Sequence, residues 1–165
     1  MKDLVDYNIS ILEKIDRLLH QFTDAELSRP VDLLFGSSVG QHFRHVLEFY
    51  SCLLSGTEEA TFSYDRRQRD PLIEQEVIAA RTCAVRNIGL LEDLRDDREL
   101  CMESELPGAG WTTQRTTLMR ELAYLADHGV HHLAMIRVAL EQRYPHILFP
   151  EHLGVAASTR NRRAR

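Results

Sequence analysis

The chain has no uninterrupted apolar run near the roughly 20 residues that span a bilayer, so no membrane-spanning helix is expected in its 165 residues. Its first twenty residues, MKDLVDYNISILEKIDRLLH, are interrupted by acids and lack the continuous apolar stretch of a secretory signal. The expected compartment is the cytoplasm. Cysteine is scarce. Cys52, Cys83 and Cys101 are an odd number at wide spacings with no CxxC, which excludes a disulfide framework and suits a reducing environment. Each reads as a small buried apolar residue. An excess of positive charge is also missing: 20 basic against 25 acidic residues leave a net charge of -5, so a nucleic-acid partner is not expected. HExxH does not occur, and with it one common hydrolase arrangement drops out.

Apolar residues make up 44% of the chain, enough for one continuous core. Their spacing is helical. Leu4, Ile11, Ile15, Leu18 and Phe22 recur at threes, fours and sevens, which predicts a helix over about 3–22. Asp24, Pro30 and Asp32 break it, and a loop runs to Gly36-Ser37-Ser38. Ser38 followed by Gln41 reads as a capping box. The helix it opens carries Val39, Phe43, Val46, Phe49, Tyr50 and Leu53 inward and ends near Gly56. A polar connection over 57–70 leads to Asp70-Pro71, an N-cap followed by proline at the first helical position. The third stripe is Ile73, Val77, Ala80, Ala84, Ile88, Leu91 and Leu94. Residues 99–106 read as a short extended piece before the turn at 107–110. A fourth helix over about 117–144 puts Leu118, Leu122, Leu125, Gly129, His132, Ile136 and Leu140 on one side, and Pro145 stops it.

Four amphipathic helices with no credible sheet predict an all-α four-helix bundle. The long first connection allows an arrangement other than simple up-down order. The expected domain is residues 1–157, with a basic solvated tail over 158–165.

Eight histidines stand out, five of them in two clusters: His42 and His45, then His128, His131 and His132. His128 and His132 lie one turn apart, about 40° from each other on one helix face. That is the spacing with which two imidazoles reach one metal ion. His131 turns about 60° to the other side, at the rim of such a site or outside it. A third ligand from the second helix would complete three protein ligands and leave positions open, as catalytic sites do. Periodicity slightly prefers His42 for that role, being nearer the apolar stripe, while a site at the mouth of a bundle would use the flank, where His45 sits. Glu48 lies nearly a turn beyond His45, placed to orient an imidazole or to act as a base. Asp127 points away and reads as solvated. Hydrogen-bonded core histidines without metal are the plainer reading of the same pattern.

Residues 37–48, SSVGQHFRHVLE, and residues 127–133, DHGVHHL, resemble the DinB-like superfamily of metal-dependent proteins. The resemblance extends over about residues 3–157. It implies a four-helix bundle with one ligand in the second helix, which falls on His45, and an HxxxH pair in the last, which falls on His128 and His132. It implies a divalent cofactor, zinc or nickel first and iron or manganese next, and a homodimer as a common assembly. Residues 64–70, YDRRQRD, and 149–156, FPEHLGVA, look typical of one branch. In the first, Arg66, Arg67 and Arg69 are candidates to close over the metal mouth and bind an anionic group of a small-molecule substrate. Relatives include transferases that use low-molecular-weight thiols such as bacillithiol or mycothiol, so a thiol S-transferase is the first expectation. A hydrolase acting with water at the metal, and a non-catalytic stress-response or ligand-binding bundle with a structural metal, are the alternatives.

Overall fold

A computed structural model describes residues 1–156, 158 and 159. The basic tail expected over 158–165 lies, but for Ser158 and Thr159, outside the described residues. Four long helices dominate: α1 (Lys2–Leu19), α3 (Val39–Ser55), α5 (Val77–Glu92) and α6 (Leu118–Arg143). Two short ones, α2 (Asp24–Leu27) and α4 (Pro71–Gln75), sit in the connections. No helix among the described residues is long and apolar enough to cross a membrane.

Each start follows from local chemistry. Ser38 accepts a hydrogen bond from the Gln41 amide while the Gln41 side chain accepts one from the Ser38 amide. Thr117 caps α6 by accepting from the Arg120 amide. Asp70 caps α4 by accepting from the Leu72 amide, ahead of Pro71.

The third predicted helix is two. Glu76 adopts an extended conformation (φ -120°, ψ 120°) between α4 and α5. The break is tertiary in origin. Asp24 of α2 accepts the Val77 amide at 2.8 Å and so caps α5 from a distant segment. On the other side α3 approaches α4 so closely that a Cβ on Gly40 would lie 2.1 Å from the Glu74 carbonyl oxygen.

The all-α expectation is corrected as well: the chain is mostly helical but carries a small three-stranded sheet. Strands β2 (Glu99–Leu106) and β3 (Gly110–Thr117) form an antiparallel hairpin, and β1 (Thr61–Phe62) pairs parallel to β2. The extended piece at 99–106 is therefore half of a hairpin. Its partner strand, GWTTQRTT, is mostly exposed and shows no apolar alternation, which hid it.

Around the core, α1 packs against α5 and α6, and α3 packs against the same two. The first two long helices are thus not neighbours in the ring but face each other across it. Ile11, Leu12, Ile15, Phe43, Leu47, Leu53, Leu122 and Ile136 fill the centre. Asn8 is buried among them and ties three helices: its amide nitrogen donates to the carbonyls of Leu4 (2.8 Å) and Leu122 (3.1 Å), and its oxygen accepts from the Tyr50 hydroxyl (2.7 Å). Two turns along α6 from Leu122, a Cβ on Gly129 would lie 3.1 Å from Ile11 Cγ2. This tight packing brings α3 and α6, the two histidine-bearing helices, into fixed register.

Candidate metal centre

His45 projects from α3, and His128 and His132 project from α6. One ring nitrogen of each lies within 4.8 Å of the other two. The rings stand 5.0 Å (45–128), 4.8 Å (45–132) and 4.6 Å (128–132) apart by centroid. His132 is buried and the other two half-buried.

Burial keeps these imidazoles neutral. It pushes His132 down to about 3, helped by repulsion from His128, His45, His42 and His131. Burial likewise takes His45 to about 4, with His128 and Arg67 next in effect. His128 is lowered by burial and by His131. Neutral rings at physiological pH present the lone pairs that a cation needs. The donor set also has a deficit that an ion would fill: His128 Nε2 is buried with no hydrogen-bond partner. Three neutral nitrogens from two packed helices are positioned to hold a metal ion.

His42, favoured by periodicity, stands behind this group. Its Nδ1 lies 3.1 Å from His132 Nδ1, so one ring donates and the other accepts. That contact leaves Nε2 as the free nitrogen of His132 and fixes how its ring is turned. His42 is itself lowered by burial and by His131, and its Nε2 is buried without a partner. His131 is exposed, with its ring 5.8 Å from that of His132. Asp127 is exposed.

Glu48 is placed differently from expectation. Its hydrogen bond goes to the Asp70 backbone amide (2.7 Å), and its second oxygen sits 3.8 Å from both Arg44 Nε and Arg67 Nε. No imidazole is among its hydrogen-bond partners in the described residues. Arg44 reaches on to Glu74. The three loop arginines diverge. Arg67 stacks its guanidinium 5.6 Å over the Phe49 ring. Arg66 pairs with Glu103 (3.2 Å) and lies over Trp111 (4.1 Å). Arg69 sits at φ 54° and donates to the Arg67 carbonyl.

Sequence reasoning missed the aromatic wall. Phe49 stacks on His128 (4.7 Å, 13°) and lies 4.4 Å from His45, while Tyr64 stacks on the other face of the system, 4.6 Å from Phe49 at 7°. Tyr124 covers His128 at 5.5 Å. Tyr64 is anchored by its hydroxyl, which donates to Glu121 (2.9 Å), and Glu121 is fully buried and also takes hydrogen bonds from Thr116 and Arg120. Helix spacing held part of the signal, since Phe49 is four residues after His45 and Tyr124 four before His128. Tyr64 and Glu121 had none.

No curated protein and no solved structure matches the chain. The DinB superfamily model, however, matches residues 9–136, a span that contains both histidine clusters and most of the helical core. Covering well over half of the 165 residues, that match shows that the chain belongs to the DinB superfamily.

Proposed function

We propose that the protein is a metal-dependent enzyme, a transferase acting with a low-molecular-weight thiol, built on the four-helix-bundle plan of its superfamily and working in the cytoplasm as a homodimer on a small molecule rather than on nucleic acid. The observation that carries this reading is the convergence of three neutral imidazoles at His45, His128 and His132. A divalent ion held by three uncharged ligands keeps its charge and lowers the pKa of a bound thiol, supplying the nucleophilic thiolate at neutral pH.

The chain's own residues do the rest. His42 holds His132 in one tautomer through the 3.1 Å contact. Phe49, Tyr64 and Tyr124 shield one side of the cluster from water. Arg67, packed over Phe49, sets a positive charge beside the cluster for an anionic substrate group. Arg66 is held by Glu103 and contributes less. Glu48 holds Arg67 and the start of α4 in place and is not our choice of base.

A hydrolase is the second reading. It rests on the same cluster, since an ion held there could activate water instead of a thiol. A structural metal in a non-catalytic bundle is the third. The test is consumption of a low-molecular-weight thiol with an electrophilic aryl halide, by zinc- or nickel-loaded protein. Turnover that disappears in His132→Ala supports the transferase. Metal loading without thiol turnover, but with ester hydrolysis, replaces it with the hydrolase. Loading with neither activity favours the structural reading.

A further inference from the structure

A second cavity lies on the other flank of α3, between that helix, residues 66–70, α4 and α5, with a volume of about 530 Å³. That is the size of sites that enclose small organic ligands. None of the five clustered histidines lines it, and neither does any residue of α6. It is a separate space from the histidine cluster, sharing with it only the neighbourhood of Glu48 and Arg67.

Its charge is unbalanced. Three guanidiniums, Arg66, Arg67 and Arg86, face two carboxylates, Glu48 and Asp70. Arg66 is occupied by Glu103, and Asp70 is turned to cap the Leu72 amide. Arg86, on α5, is exposed, and its side chain makes no hydrogen bond or ion pair among the described residues. Arg67, across the cavity on the loop, has a side chain only 17% exposed. Its Nη1 donates to the Tyr64 carbonyl (3.2 Å), while its Nε is buried without a hydrogen-bond partner, Glu48 Oε2 lying 3.8 Å away. A buried donor left unpaired costs free energy that an acceptor from outside would recover.

The rest of the lining sets the neutral polar side chains of Ser51, Ser55, Gln68 and Thr82 beside an apolar group of Leu72, Ile73 and Ala79 and the thiols of Cys52 and Cys83. Burial holds both thiols in the neutral form, Cys52 being pushed up to about 11. They therefore behave as soft apolar surface rather than as nucleophiles.

We propose that this cavity is a binding site for a small organic carboxylate with an apolar body, its carboxylate held between Arg67 and Arg86 and its body against Leu72, Ile73, Cys52 and Cys83. A guanidinium pair recognises the planar anion, and the apolar lining selects against inorganic anions. The site needs no metal; Arg67 borders both it and the histidine cluster, whereas Arg86 belongs to this cavity alone.

The probe is hexanoate, with hexanol as the uncharged control, titrated calorimetrically into the whole protein. Saturable binding of hexanoate and not of hexanol is expected, weakened about tenfold or more in Arg86→Ala, which is the loss of one charge-assisted contact. In a second readout, hexanoate raises the Tm of the parent and of His132→Ala, and not that of Arg86→Ala. Binding persists in His132→Ala. No saturable binding overturns the proposal. So does binding that is lost in His132→Ala and kept in Arg86→Ala, which would place the anion on the metal cluster.

Discussion

Replacing Asn8 by leucine tests the packing that holds the histidine helices together. Asn8 is fully buried and its three hydrogen bonds join α1 to α3 and α6. The carbonyls of Leu4 and Leu122 keep partners within their own helices. The Tyr50 hydroxyl does not: it is buried and its hydrogen bond goes to Asn8. Asn8→Leu conserves volume and strands that hydroxyl, at a cost of about 2 kcal/mol. Tyr50→Phe alone strands the Asn8 oxygen and costs about 1 kcal/mol. Together the changes remove both partners, and an apolar pair of similar shape is close to neutral. The double variant should therefore be more stable than Asn8→Leu, with a coupling of about 1–3 kcal/mol. For a domain of this length each kcal/mol moves Tm by roughly 2–4 °C, so Asn8→Leu melts about 4–8 °C below the parent and the double variant recovers most of that. The melts are run on metal-free protein, because a bound ion would add its own stabilisation. Simple addition of the two losses would refute the reasoning and mean that the Asn8–Tyr50 contact does not couple the helices.

Three further outcomes are expected. The metal-free protein loses stability as pH falls from about 6.5 toward 4, because the unfolded chain protonates its histidines at their ordinary value while burial keeps His45 near 4 and His132 near 3. The slope is about 1.4 kcal/mol per pH unit for each ring still neutral in the fold, read from Tm between pH 7.5 and 5, and a flat profile contradicts it. Tyr64→Phe leaves Glu121 Oε2 without its hydroxyl donor and lowers stability by about 2 kcal/mol in denaturant titration; no loss would mean that Glu121 is held by Thr116 and Arg120 alone. Gly129→Leu drives a side chain into Ile11, with an expected loss of about 1–3 kcal/mol and weaker zinc uptake, since Gly129 lies between the two ligands of α6.

Much of this was legible because the signals are local. The Ser38–Gln41 box, the Asp70 cap, the apolar stripe of α6 and the pairing of His128 with His132 all depend on residues within one turn of each other. What stayed hidden depends on distant partners. The break at Glu76 is made by Asp24 and Gly40, and Tyr64 reaches the site through Glu121. The pairing of β2 with β3 escaped, although β2 read as extended, because the exposed, threonine-rich β3 buries little and so shows no alternation. His42 shows the limit of periodicity most clearly. It lies nearer the apolar stripe than His45, yet its ring backs onto His132, while His45 on the flank joins the convergent set.

Whether His45, His128 and His132 hold one divalent ion is read from metal content by mass spectrometry, on protein purified without a metal-binding tag and reconstituted with zinc or nickel. About one equivalent is expected in the parent and in His42→Ala, with loss of the ion in His45→Ala and His132→Ala. An ion retained in His45→Ala and lost in His42→Ala, or no ion in the parent after reconstitution, would contradict it.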